Sequence, residues 1–360
     1  TMLERFKVPT EDRVYVTEEK IRAATNAIFL KMGLDEEGAR VSTDVLIMND
    51  LRGVETHGVS NMLRSYVAGY GSGALNPTPN IKTLRESSTT ATWDGDRGLG
   101  AHIGPMAMQL AMDKAEKHGQ GAVSVTNTGH LAGAGYHAAM AAQQDMIGMA
   151  MTGSGGVQAV PTFGAEPRFG TNPIAYAVPA RKMPPFLFDV ATTQVAGNKI
   201  RLARRVGAGL IPNWVAGPDG TVIDNETDGI PDEYFMLPFG GTRENGSHKG
   251  YAFAAVVDVM TGQLSGAGPG FIHQKTAHYF QAWKIDAFMD TEKFKDDMDD
   301  FLEGLANTKP APEQERVFYP GLSEFEETNK RKAEGIPYHR EVIEWFGTAA
   351  AELGLDLDLP

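Results

Sequence analysis

Cysteine is absent from the 360-residue chain, which excludes a disulfide framework, a thiolate zinc site and a cysteine nucleophile. No apolar run approaches the ~20 residues that a membrane-spanning helix needs. Basic clusters are missing too: Lys and Arg total 33 against 46 Asp and Glu, a formal net charge of −13. Such a chain is a poor nucleic-acid ligand, because phosphate contacts need clustered cations. Three catalytic signatures are lacking: the phosphate loop G-x-x-x-x-G-K-[ST], the zinc helix H-E-x-x-H and the hydrolase elbow G-x-S-x-G. None of the nine histidines has metal-ligand spacing, so no metal is expected. The N-terminal stretch TMLERFKVPTEDRV has no apolar core of a secretory signal, so a cytoplasmic location is expected.

What is present describes an ordinary globular protein, with 42% apolar and 22% charged residues. At ~150 residues per domain the length suggests two or three domains. Acids in the first turn mark helices beginning at Thr17-Glu18-Glu19 and Asp35-Glu36-Glu37. A third helix over Val59 to Tyr70 carries Val59, Met62, Leu63, Tyr66, Val67 and Tyr70 on one apolar face. Strand-like and helix-like segments then alternate: TTATWDGD, Gly98 to Lys117, GAVSVTNT, Tyr136 to Gln144 and MIGMAMTGS. That alternation is the mark of an α/β layer architecture. FLFDVAT reads as a buried strand entering a helix with Lys199, Arg201, Arg204 and Arg205. Ala216 to Thr242 reads as a polar surface excursion, Lys249 to Leu264 as an apolar helix, and Asp290 to Glu303 as a charged one. A last helix is expected from about Arg340.

Gly98-Leu99-Gly100 with Gly104 has the wrong spacing for a dinucleotide fingerprint, and the next strand ends without a ribose-binding acid. A tight strand-to-helix turn is the better reading. More telling is Arg52-Gly53-Val54-Glu55-Thr56-His57-Gly58 at a helix junction. Thr56 is a plausible N-cap, which would place His57 in the first helical turn and align His57, Asn61 and Arg64 on one face. An imidazole, an amide and a guanidinium there suit a carboxylate-bearing substrate; the competing reading is a capped helix with a solvated polar face. His130 follows a strand at its carboxyl end, the usual ligand side of an α/β sheet, or is a loop histidine bonded to backbone. GAEPRFGTNP offers Thr171 and Asn172. Asp189, inside an apolar strand, requires a partner. Lys249 begins an apolar helix at the end that disfavours a cation, as a ligand anion would explain.

Taken together, NDLRGVETHG, NTGHLAGAGYHAAMA, FGTNPIAYAVP, FDVATTQVAGNKI, KGYAFAAVVDVMTG and VFYPGLSEFEETNKRKAEGIP resemble the malate/L-lactate dehydrogenase family in order over nearly the whole chain. The resemblance implies a non-Rossmann mixed-sheet α/β fold with an N-terminal helical segment. It implies three regions: residues 1–75 carrying His57, an α/β substrate and dimerisation domain of 76–125 and 250–360, and a cofactor-binding domain of 126–249. It further implies hydride transfer between NAD or NADP and a small 2-hydroxy or 2-keto acid, in a homodimer. His57 matches the family's proton-transferring histidine, with Thr56 in place of a serine. His130 matches a catalytic or cofactor-touching histidine. Ser154, Asp189, Val190, Ala191, Lys249, Pro320 and Gly321 match cofactor-contacting segments, and Thr171 a substrate contact.

The chain departs from the family at Asn61, where an arginine usually binds the substrate carboxylate. Arg64, one turn on, or Arg52 is the expected substitute. Ala252 replaces a usual glycine. In this reading His57 takes the hydroxyl proton, Thr56 orders it, and His130 polarises the substrate oxygen. Asp189 is a candidate for orienting His57, and Lys249 for neutralising pyrophosphate. Reduction of a C=N bond in a cyclic imino acid uses the same residues. A catalytically silent cofactor-binding relative is the alternative that the change at position 61 suggests.

Overall fold

A computed structural model describes residues 7–153 and 156–360; Ser154 lies outside them. The chain opens with β1 (Arg13–Val16), α1 (Glu18–Lys31) and α2 (Glu36–Leu51). Thr17 and Asp35 cap these helices by accepting from the backbone N–H of Lys20 and Gly38, at the starts the sequence marked. Then follow α3 (Val59–Gly71), β2 (Lys82–Glu86), β3 (Thr90–Asp94), α4 (Gly100–His118), β4 (Gln120–Thr126), α5 (Ala134–Ala142) and β5 (Met146–Gly153). Next come β6 (Ile174–Val178), β7 (Phe186–Val190), α6 (Gly197–Arg205), β8 (Val215–Ala216), β9 (Phe235–Met236), α7 (Ser247–Asp258) and α8 (Gly270–His273). The chain ends with β10 (Ala277–Lys284), α9 (Thr291–Ala306), α10 (Leu322–Glu334), β11 (Ile336–His339) and α11 (Arg340–Leu353).

The main sheet has seven strands in the order β2-β3-β4-β10-β5-β6-β7. Only β3 and β4 run parallel, joined by α4, and every other neighbouring pair is antiparallel. This is the expected mixed α/β sheet. Ala-rich α4 and α5 lie on one face, where Ala107, Ala111, Ala115, Ala138 and Ala141 let the helices approach Val123, Ala150 and Phe280 closely.

Several elements differ from the sequence reading. The strand β10 runs through the middle of the sheet, although AHYFQAWK gave no local signal. Its partners β4 and β5 lie far earlier in the chain, pairing His278 with Val125 and with Thr152. The strands β2 and β6 and the helix α10 were likewise not anticipated; every residue of β2 is exposed, so no apolar alternation marked it. β7, read as buried, is the half-buried edge of the sheet, with Val190 37% exposed. The excursion after Ala216 is anchored at its ends: Val215 and Met236 are buried with Ile200 and Trp214 in a small core of their own.

The two chain ends close on each other. β1 pairs antiparallel with β11 (Val16 with Ile336), and Phe29, Leu46 and Leu63 share a core with Tyr338 and Phe346. The segment carrying His57 is thereby enclosed by residues from both termini.

Candidate active site

Between α2 and α3 the chain makes a 3-10 turn, Glu55–His57. Thr56 does not cap α3, and His57 is not in its first turn. The helix begins after Gly58, and its first N–H, on Val59, is taken by the Oδ2 atom of Asp50 at 2.9 Å. That same oxygen accepts the Tyr338 hydroxyl at 2.7 Å. Burial raises the Asp50 carboxyl to about 7, against the pull of these two donors. A Cβ on Gly58 would lie 1.8 Å from Asp50 Oδ1, so only glycine allows the turn to rest there.

Released from capping, the Thr56 hydroxyl lies 2.9 Å from His57 Nδ1. Nε2 of His57 is then the nitrogen left to face a substrate. The carbonyl of Thr56 is held by Asn198 Nδ2 at 2.6 Å, which brings α6 against the turn. From beneath, Arg331 of α10 donates Nη1 to the Asp50 carbonyl (2.7 Å), Nη2 to Glu55 (2.6 Å) and Nε to Glu327 (2.6 Å). Five donors in a rigid fork suit a guanidinium to this clamp.

His130 enters from the other side, on the loop after β4. This loop places Asn127 and Ala132 in the left-handed region (φ 52° and 61°). His278 of β10 holds it with Nε2 3.0 Å from the Gly129 carbonyl, while its Nδ1 lies 2.9 Å from the Thr152 hydroxyl. The N–H of Ala132 points at His130 Nδ1 (3.1 Å). Since a backbone N–H can only donate, Nδ1 bears the lone pair, Tyr66 donates its hydroxyl there (2.8 Å), and the proton sits on Nε2.

The two imidazoles stack, with centroids 5.9 Å apart and 11° between planes. Burial pushes the His57 imidazole below its ordinary value, and the charge of Asp189 pulls the other way. Burial first, then the neighbouring His57 and His278, brings His130 down to about 3. Burial thus favours the uncharged form of both rings, one able to accept a proton and the other presenting an N–H.

A cavity of about 550 Å³ adjoins the turn, lined among others by Arg52, Thr56, Asp189, Lys199, Ser323 and Glu324. Asp189 has the partner its strand position demanded: its Oδ2 accepts the Gly135 N–H at 2.7 Å. Arg52 is buried, and its Nη1 has no hydrogen-bond partner among the described residues. Burial lowers both Arg52 and Lys199 from their usual values. An orphaned buried guanidinium beside a carboxylate is a donor awaiting an anionic or carbonyl oxygen. Against β7, the Pro320 carbonyl accepts the Leu187 N–H at 3.0 Å, and a Cβ on Gly321 (φ 99°) would meet that nitrogen at 2.9 Å. Val190 and Ala191 continue from Asp189. Thr171 lies behind them, its carbonyl taking the N–H of Thr192 (2.9 Å). Lys249 is exposed in the first turn of α7, and no side-chain hydrogen bond or ion pair engages it among the described residues.

Other expected site residues turn elsewhere. Asn61 donates to the Glu55 carbonyl at 2.7 Å and so braces the turn. Arg64 lies over the Trp345 ring and 3.6 Å from Glu341, on α11; the expected common face of His57, Asn61 and Arg64 is not formed. Sequence reasoning missed Tyr66, Asn198, His278 and Arg331. Tyr66 was hidden by its place in an apolar stripe; Asn198 sits in the quoted segment FDVATTQVAGNKI, and Arg331 in the equally quoted VFYPGLSEFEETNKRKAEGIP. Among the described residues no cluster of His, Asp or Glu has the arrangement of a metal site, and no helix is long and apolar enough to cross a membrane.

The malate/L-lactate dehydrogenase family model matches residues 16–346. A malate dehydrogenase of Pyrococcus abyssi is 38% identical over 360 aligned positions, covering 96% of this chain and 98% of that protein. An L-sulfolactate dehydrogenase of Methanocaldococcus jannaschii is 34% identical, covering 92% and 95%. The solved malate dehydrogenase of Pyrococcus horikoshii superposes with a TM-score of 0.88 at 34% identity, covering 97% of this chain and 98% of that one. By family model, by relatives along nearly its whole length and by fold, the chain belongs to the malate/L-lactate dehydrogenase family of oxidoreductases.

Proposed function

We propose that this protein is a nicotinamide-dependent dehydrogenase of small 2-hydroxy acids, with His57 as the proton-transferring group. The observation that carries this reading is the stacked His57–His130 pair beside a cavity holding the orphaned Arg52 guanidinium. The relatives named for malate and sulfolactate support the substrate class, since both compounds are 2-hydroxy acids.

The residues fit a nicotinamide cofactor. The cavity is of ligand-pocket size, and its Arg52 donor is unmatched. Asp189, Val190, Ala191, Pro320 and Gly321 would hold the cofactor, with Lys249 toward its phosphates; Ser154 joins this set by the resemblance alone. When bound, the cofactor supplies the hydride acceptor or donor.

The protein's own residues handle the proton. With Nδ1–H donated to the Thr56 hydroxyl, His57 Nε2 takes the substrate hydroxyl proton as the hydride leaves, and returns it in reduction. His130 Nε2–H donates to the same substrate oxygen. Arg52 and Thr171 contact the substrate, and Asp189 favours the protonated His57 when the proton arrives. Asn61 supports the turn. Arg64, already held by Glu341 and Trp345, serves the frame around it.

A homodimer is part of this proposal. Phe253, Val256, Val259 and Leu264 leave an apolar band exposed along α7 and its continuation, and Ile272 is exposed on α8, more than scattered single residues account for.

The test is a fluorescence titration with NADH and NADPH, followed by a panel of 2-keto acids and cyclic imino acids. Binding of one cofactor and its oxidation by a 2-keto acid is expected. Turnover of imino acids alone would move the substrate class to C=N reduction, binding without turnover would indicate a silent relative, and failure to bind either cofactor would overturn the proposal.

A further inference from the structure

A 2-hydroxy acid carries its carboxylate one bond from the reacting carbon, so a cation for that carboxylate must stand next to the imidazole pair. The nearby arginines are mostly committed. Arg331 is spent on Glu55 and Glu327, and Arg64 and Arg205 both engage Glu341. Arg52 has an unmatched Nη1, but the carboxylate of Asp189 beside it opposes a second anion there. Arg201 is different: it is exposed, and no hydrogen bond or ion pair engages it among the described residues.

Its placement follows from α6. Asn198 fastens one end of that helix to the His57 turn, donating to the Thr56 carbonyl at 2.6 Å and touching Met62 Sδ at 3.3 Å. Arg205 fastens the other end to Glu341 of α11 at 3.2 Å. Residues 198, 201 and 205 fall on one helical face at spacings of three and four. Arg201 therefore stands between the two anchors, facing the turn. Its positive charge reaches the His130 ring, where it disfavours protonation.

Resting on the reading of His57 and His130 as the reacting pair, we propose that Arg201 binds the carboxylate of the substrate at the open side of that pair. A guanidinium takes a carboxylate through two parallel N–H donors, which fixes the orientation of the reacting carbon as well as its charge. Among the described residues no acid pairs with Arg201, whereas Arg52 has Asp189 beside it. Arg201 thus acts as a specificity determinant contributed by α6, and it selects acids over neutral alcohols or ketones.

The experiment compares wild type, Arg201→Gln and Arg201→Lys as full chains, with pyruvate and oxaloacetate as substrates and oxamate as a non-reacting probe. For Arg201→Gln, KM should rise about tenfold or more, as loss of a charged hydrogen bond implies. Its kcat should change less than about threefold, oxamate binding should weaken in parallel, and the Kd for reduced cofactor should be unchanged. Lysine should restore part of the loss, since it keeps the charge without the fork. Circular dichroism and melting temperature of each variant establish that the exposed substitution leaves the fold intact. A KM within twofold of wild type in a working enzyme would overturn the proposal and leave the wider reading standing. A weakened cofactor Kd with unchanged KM would overturn it by assigning Arg201 to a cofactor phosphate. If the wild type neither turns over a 2-keto acid nor binds oxamate with reduced cofactor, both readings fall together.

Discussion

A base that accepts a proton from an alcohol must be neutral when the substrate arrives, and burial favours that form of His57. His57→Gln keeps the size and one polar end but has no titratable nitrogen. A fall in kcat of about 10²–10⁴ is expected from loss of general base catalysis, with cofactor Kd unchanged in a fluorescence titration. Asp189 pulls the His57 value upward against burial. Asp189→Asn keeps an oxygen to accept the Gly135 N–H but removes that charge. His57 would then titrate lower. In oxidation the rising acid limb of kcat/KM moves to lower pH; in reduction, which needs protonated His57, the falling limb also moves to lower pH. An unchanged profile would show that the Asp189 charge does not act on His57. At this scale the sequence displayed His57 and His130 clearly. It did not display Tyr66, read as core because its ring fills an apolar stripe while its hydroxyl alone reaches His130.

The 3-10 turn is the element on which the site depends, and its supports come from three distant stretches. Asp50 and Tyr338 fix its exit, Asn198 holds the Thr56 carbonyl, and Arg331 clamps its base. Arg331 and Glu55 are both buried, so removing the cation strands a carboxylate. Arg331→Gln is expected to lower stability by about 3–5 kcal/mol, as broken buried pairs do, measured by urea unfolding. Arg331→Lys should recover only part, because a single ammonium cannot span the Asp50 carbonyl, Glu55 and Glu327 as the fork does. The turn itself was legible as a junction between two helices, but its cap was misplaced. Thr56 has the chemistry of an N-cap, and only the folded chain brings the buried Asp50 carboxylate to Val59 ahead of it.

At the scale of the whole molecule, the apolar band along α7 is expected to be covered by a second copy. The double substitution Val256→Asp and Val259→Asp, at positions about half exposed in the single chain, should shift the protein to monomer in sedimentation at micromolar concentration; a wild type that already sediments as a monomer would exclude the homodimer. The sequence by itself determined the α/β class, the capped helices α1 and α2 and the family, and it singled out the two histidines as candidates, because periodicity, capping and short motifs are local properties. Only the tertiary structure decided that β10 divides the sheet, that β7 is an edge, that Arg64 turns to α11 and that Arg201, its charge felt at His130, has no partner among the described residues. Those outcomes depend on which distant residues meet. A charge has no partner until the packing of other segments supplies one or withholds it.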